Sequence, residues 1–183
     1  TQSAPAKLNL FLHITGKRED GYHLLDSLVV FTEFADQITF TKSSDFRFSS
    51  SGAYSKHIDP AHNLVTQAVH KLAALYPHVS NIRIHLEKEI PIGGGLGGGS
   101  SDAAATLLAL NQFFALDIPK EKLFETGLYI GADVPVCLAQ TTSHMRGVGE
   151  DISPINCPPL HLLLINPGIQ ISTQKIFQNR AAS

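Results

Sequence analysis

The stretch PIGGGLGGGSSDAA, residues 91–104, places six glycines in the seven positions from Gly93 to Gly99. Ordering a glycine costs more backbone entropy than ordering any other residue, so a folded chain keeps such a run only where the backbone itself must be approached. A flexible linker shares this composition. Here, however, Pro91 and a strand-like segment precede the run, Leu96 interrupts it, and the helix-forming SSDAAATLLALNQFFAL follows at once. The arrangement predicts a strand, a glycine loop and a helix opening at Ser100 or Ser101. Its free N–H groups and positive end face outward, with no Cβ to hold an anion away. That is a phosphate site. The P-loop pattern needs a lysine after its last glycine, and Gly98 is followed by Gly99. Gly93, Gly95 and Gly98 satisfy G-x-G-x-x-G, but a dinucleotide-binding strand is buried on both faces and apolar throughout. The preceding IRIHLEKEI alternates with charges instead. A nucleoside triphosphate held by neither common motif remains.

The rest of the chain frames this site. AKLNLFLHI alternates, with Leu8, Leu10, Leu12 and Ile14 on one face and Lys7, Asn9, Phe11 and His13 on the other, as in a half-buried strand. TGKREDGYH reads as a polar loop, LDSLVVFTEFADQITF as one or two strands, and the Ser-rich residues 43–60 as containing a hairpin. Asn63 is placed to cap a helix over NLVTQAVHKLAALY, whose apolar residues recur at helical spacing. A second helix is predicted between Pro119 and Gly131, and LHLLLINP reads as a late strand. This mixed order suggests an α+β fold or a mixed α/β sandwich.

Composition narrows the partners. A net charge of −2 over 183 residues gives no reason to expect a polyanionic partner such as nucleic acid. No apolar run approaches the ~20 residues of a membrane span, and the first residues lack the pattern of a secretory leader. Two cysteines, Cys137 and Cys157, form no C-x-x-C and no disulfide framework, which suits a reducing cytoplasm. The nine histidines show no spaced ligand set for a structural metal, and Cys137, in VPVCLA, reads as an inert core thiol.

PIGGGLGGGSSDAA resembles the phosphate-binding motif of the GHMP kinases. APAKLNLFLHITGKREDGYH and GADVPV occur in that family's order, and GVGE and INPG extend the likeness, so it covers nearly the whole chain. The resemblance implies an ATP-dependent, Mg²⁺-assisted small-molecule kinase with an alcohol acceptor. The implied fold is the GHMP kinase N-terminal domain, a mixed sheet packed against helices like the second domain of ribosomal protein S5. Within the family, DGYH points to an acceptor linked to cytidine diphosphate, of the kind used in non-mevalonate isoprenoid precursor synthesis. Residues 1–160 are expected to form the N-terminal ATP-binding domain and residues 161–183 the start of a C-terminal domain, the remainder absent. The family's third glycine motif, of the G-T-G-A type, does not occur before QNRAAS. Another GHMP small-molecule kinase, or an inactive nucleotide-binding fragment, stays open beside the main reading.

Roles follow residue by residue. Gly93, Gly94, Gly95, Leu96, Gly97, Gly98, Gly99, Ser100 and Ser101 would cradle the ATP phosphates, with Ser101 placed for either Mg²⁺ or a phosphate oxygen. Asp133 matches the family's catalytic aspartate and would accept the acceptor hydroxyl's proton. Its spacing between Gly131 and Pro135 by itself favours a helix cap, and only the resemblance reverses that reading. Lys7 matches the catalytic lysine, an ammonium set against that carboxylate. Asn9 resembles a ligand of the acceptor hydroxyl. Tyr22 would stack on the cytosine, His23 would bond its edge, and Phe177 would cover its other side, with Thr173 as a further ligand. Asn63 and Lys88 match positions near the nucleotide.

Overall fold

The computed structural model describes residues 1–168. Strands β1 (Gln2–Lys17) and β2 (His23–Lys42) form a long antiparallel pair. After them come β3 (Arg47–Ser51), α1 (Leu64–Ala73), β4 (Ile82–Glu87), α2 (Gly98–Phe113), α3 (Lys120–Ile130), α4 (Val134–Ala139), β5 (Ser143–Gly147) and β6 (Asp151–Pro154). The sheet runs β3-β4-β2-β5-β6, with β1 also bonded to β2. All neighbours are antiparallel except β3 and β4. The four helices cover one face of this mixed α+β sheet.

The core explains the layering. Ile38, Ile82, Ile84 and Leu86 from the sheet meet Val65, Val69 and Leu72 of α1, Leu107 and Leu110 of α2, and Val136 and Leu138 of α4. Helix α2 is apolar nearly all round, and Ala103, Ala104 and Ala105 are fully buried at its centre. Three small side chains in a row let neighbouring elements approach its axis closely. As its sequence position suggested, Asn63 caps α1, accepting from Thr66 N–H at 2.9 Å. Helix α3 begins after Pro119 and ends at Gly131.

Three local expectations are corrected. The alternation in β1 breaks at register shifts between Pro5 and Lys7, Asn9 and Phe11, and Ile14 and Gly16. Each bulge turns the following residues toward the other face, so Lys7 is 4% exposed whereas Leu10 and Leu12, assigned to the apolar face, are 40% and 42% exposed. LDSLVVFTEFADQITF, expected to form one or two strands, forms one. The Ser-rich segment holds no hairpin, because β3 pairs in parallel with β4. LHLLLINP forms no strand: residues 155–168 carry no regular element, and Leu163 and Ile165 are 85% and 86% exposed. A strand needs a bonded neighbour, and among the described residues none lies beside it. No helix among the described residues is long and apolar enough to cross a membrane.

Candidate functional site

The glycine loop crosses the mouth of a cleft of about 1580 Å³ and opens α2 at Gly98, ahead of the expected Ser100 or Ser101. Gly97, left-handed at φ +62°, turns the chain into the helix. The first helical hydrogen bond runs from Ser101 N–H to Gly97 C=O at 2.8 Å. The N–H groups of Gly98, Gly99 and Ser100 therefore precede the helical ladder, and all three residues line the cleft. Glycine at 97 is also a matter of space, since a Cβ there would lie 3.0 Å from Lys7 Cε. Leu96, the loop's one large side chain, is its anchor: it packs with Ala6 and Ile90 and its carbonyl accepts Lys7 N–H at 2.8 Å.

That anchor delivers Lys7. Its buried stem runs beneath Gly97, and its Nζ lies 3.0 Å from Asp133 Oδ2. Asp133 precedes α4 but makes no side-chain cap bond, so the cap reading fails; the carboxylate is 41% exposed to the cleft. Asn9 is held in the same array: its Oδ1 accepts from Lys7 Nζ at 3.0 Å and its Nδ2 donates to Ser27 Oγ at 2.7 Å. Ser27, fully buried, donates in turn to Phe11 C=O at 2.6 Å. Sequence reasoning missed Ser27, which sits in a strand with nothing local to distinguish it from any other serine.

Tyr22 and His23 reach the same cleft from the β1–β2 turn. Gly21, at φ +91°, makes that turn, and Tyr22 is left 62% exposed at its tip. Asn63 lines the cleft, but its amide is engaged by the cap: Nδ2 donates to Asp59 C=O at 2.9 Å and to Thr66 Oγ1 at 3.0 Å. Ser101 is 1% exposed and its Oγ has no partner among the described residues. Thr173 and Phe177 lie outside the described residues.

Lys88 is placed unlike an exposed strand lysine. Its side chain is 3% exposed, and its Nζ lies 2.5 Å from Asp36 Oδ2 and 2.6 Å from Asp102 Oδ2. Burial, with the Asp36 charge adding to it against Lys88, pushes Asp102 up to about 7. The Cys137 thiol, on the buried side of α4, is pushed up to about 12, chiefly by burial. Among the described residues no group of three or more His, Cys, Asp or Glu side chains could hold a metal.

Residues 63–141, from the α1 cap through the glycine loop to the end of α4, match the family model "GHMP kinases N terminal domain". The chain contains a GHMP kinase N-terminal domain. Similar proteins agree. Proteins of Brucella abortus (45% identical over 97% of this chain) and Paramagnetospirillum magneticum (43% over 97%) are both named 4-diphosphocytidyl-2-C-methyl-D-erythritol kinase. A crystal structure of 4-(cytidine 5'-diphospho)-2C-methyl-D-erythritol kinase superposes with a TM-score of 0.80 at 36% identity, covering 97% of this chain and 63% of that one. Homoserine kinase from Cytophaga hutchinsonii shares the fold, at a TM-score of 0.67 and 17% identity over 99% of this chain and 60% of its own. The chain spans 62% of the length of the two curated relatives.

Proposed function

We propose that this GHMP kinase domain belongs to an enzyme that transfers the γ-phosphoryl group of ATP to the 2-hydroxyl of 4-diphosphocytidyl-2-C-methyl-D-erythritol, in the cytoplasm. Residues 161–183 begin its second domain. The observation that carries the reading is the Lys7–Asp133 pair, 3.0 Å apart in the cleft that the glycine loop and Tyr22 also line. The residues fit a triphosphate: main-chain N–H groups at a helix start, glycines that carry no side chain of their own, with open space where a Cβ of Gly95 would stand, and a buried Ser101 hydroxyl with no partner among the described residues. Bound ATP supplies the phosphoryl group, and Mg²⁺, which keeps several waters and is held largely through phosphates, suits a site without a carboxylate cage.

The chain's own residues divide the remaining tasks. Gly98, Gly99 and Ser100 hold the phosphates through main-chain N–H groups. Asp133 orients the acceptor hydroxyl and takes its proton at Oδ2 or Oδ1 as the new P–O bond forms. Lys7 balances charge that gathers on the reacting oxygens, and Asn9, fixed between Lys7 and Ser27, sets the ammonium's position. Tyr22 and His23 take the cytosine. The test is Asp133→Ala in the full-length protein, following ADP release with the cytidine-diphosphate-linked acceptor, homoserine and mevalonate. Turnover with the first acceptor alone is expected, falling at least ~100-fold in the variant with nucleotide binding retained. Turnover near the parent's would remove Asp133 from the chemistry, and preference for another acceptor would overturn the substrate.

A further inference from the structure

Beneath the glycine loop lies a group of charges that the proposed chemistry does not use. Asp36 comes from β2, Lys88 and Ile90 from the segment that follows β4, and Asp102 from the first turns of α2. Asp36 Oδ1 accepts from two successive main-chain N–H groups, Glu89 at 2.6 Å and Ile90 at 2.8 Å, just before the loop begins. Its Oδ2 and Asp102 Oδ2 both accept from Lys88 Nζ, at 2.5 and 2.6 Å. A Cβ on Gly98 would stand 3.0 Å from that Nζ and 2.9 Å from Ile90 Cγ2, so the helix start rests directly on the network. Three segments distant in sequence are thus tied under the phosphate site by four charge-assisted hydrogen bonds. Asp36, Lys88 and Asp102 are 0%, 2% and 3% exposed.

This arrangement is badly suited to gripping a phosphate. Two carboxylates already face one ammonium, so the cluster offers an approaching anion no surplus positive charge. We propose that Lys88 is a positioning residue: with Asp36 and Asp102 it sets the height of Gly98 and the α2 start against the sheet, and it does not itself bind the donor's phosphates. The inference rests on the nucleotide site proposed above.

Asp36→Asn in the full-length protein separates the two roles. The substitution keeps the side chain's shape but sets an amide N–H₂ or a weaker acceptor against Lys88 or the Glu89 and Ile90 amides. It also removes a negative charge from beneath the phosphate site. Positioning requires the KM for ATP to rise about tenfold, the loss of roughly one charge-assisted hydrogen bond, while the acceptor KM stays at the parent value. A phosphate-binding Lys88 would instead be freed by the change, and the KM for ATP would hold or fall; that result overturns the inference. A general loss of structure would raise both KM values together, and a rise in both also counts against it. If Asp36→Asn does not fold, Asp102→Asn carries the same comparison with the same outcomes. A parent protein that turns over no ATP defeats the nucleotide site itself, a result separate from either.

Discussion

Asp102 is the residue whose replacement most directly tests the electrostatics drawn from the structure. Its carboxyl is raised from 3.8 to about 7, first by burial and then by the Asp36 charge, against the attraction of Lys88. Between those values the folded chain holds a proton there that the unfolded chain has released. Linkage then makes stability fall as pH rises, by 1.36 kcal/mol per pH unit while the two states differ by one proton. Over the full interval the loss is about 4 kcal/mol, and about 3 kcal/mol of it falls above pH 5. Asp102→Asn cannot titrate and keeps Lys88 paired with Asp36. Urea unfolding of parent and variant at pH 5 and pH 8 should therefore show the gap between them moving about 3 kcal/mol in the variant's favour at the higher pH. At an ordinary urea slope that is a midpoint shift of about 1–3 M. A gap that stays constant between the two pH values would show that Asp102 ionises normally in the folded chain, and the account of its burial would be wrong. Stability gained this way and nucleotide affinity lost in the same variant are compatible, since a costly buried charge can persist for the geometry it maintains.

Gly98→Ala should destabilise the domain by about 1–3 kcal/mol, because the new methyl meets Ile90 Cγ2 at 2.9 Å and Lys88 Nζ at 3.0 Å. A thermal midpoint within error of the parent would mean that the loop has room to spare. Cys137, with its thiol near 12 and no exposure, should resist a thiol reagent at pH 8 until the chain unfolds, whereas the partly exposed Cys157 should react in the native state. Titration of two thiols in the native protein would contradict the packing of α4.

Much of the site was legible because its chemistry is local. A glycine loop before a helix must bare its N–H groups, and that consequence needs no tertiary information; nor does the Asn63 cap, which bonds three residues on. The likeness of GADVPV and PAKLNLFL to a family supplied Asp133 and Lys7, which spacing alone did not, because a carboxylate between Gly131 and Pro135 reads more readily as a cap. Lys88 too came from the family likeness, as a position near the nucleotide. Its actual setting depends on Asp36 and Asp102, 52 and 14 residues away, and no local pattern marks such partners.

The amino-acid order by itself determined the glycine loop that bares main-chain N–H groups at the start of α2, the α1 helix with its Asn63 cap, and the unbroken alternation of β4, because each rests on contacts within a few residues. Only tertiary structure decided which face of β1 is buried, since bulges reset its alternation. It also decided that Lys7 meets Asp133 and that two aspartates share Lys88. Those outcomes come from burying charges drawn from distant segments, where the cost of desolvation is met only by partners that folding brings together.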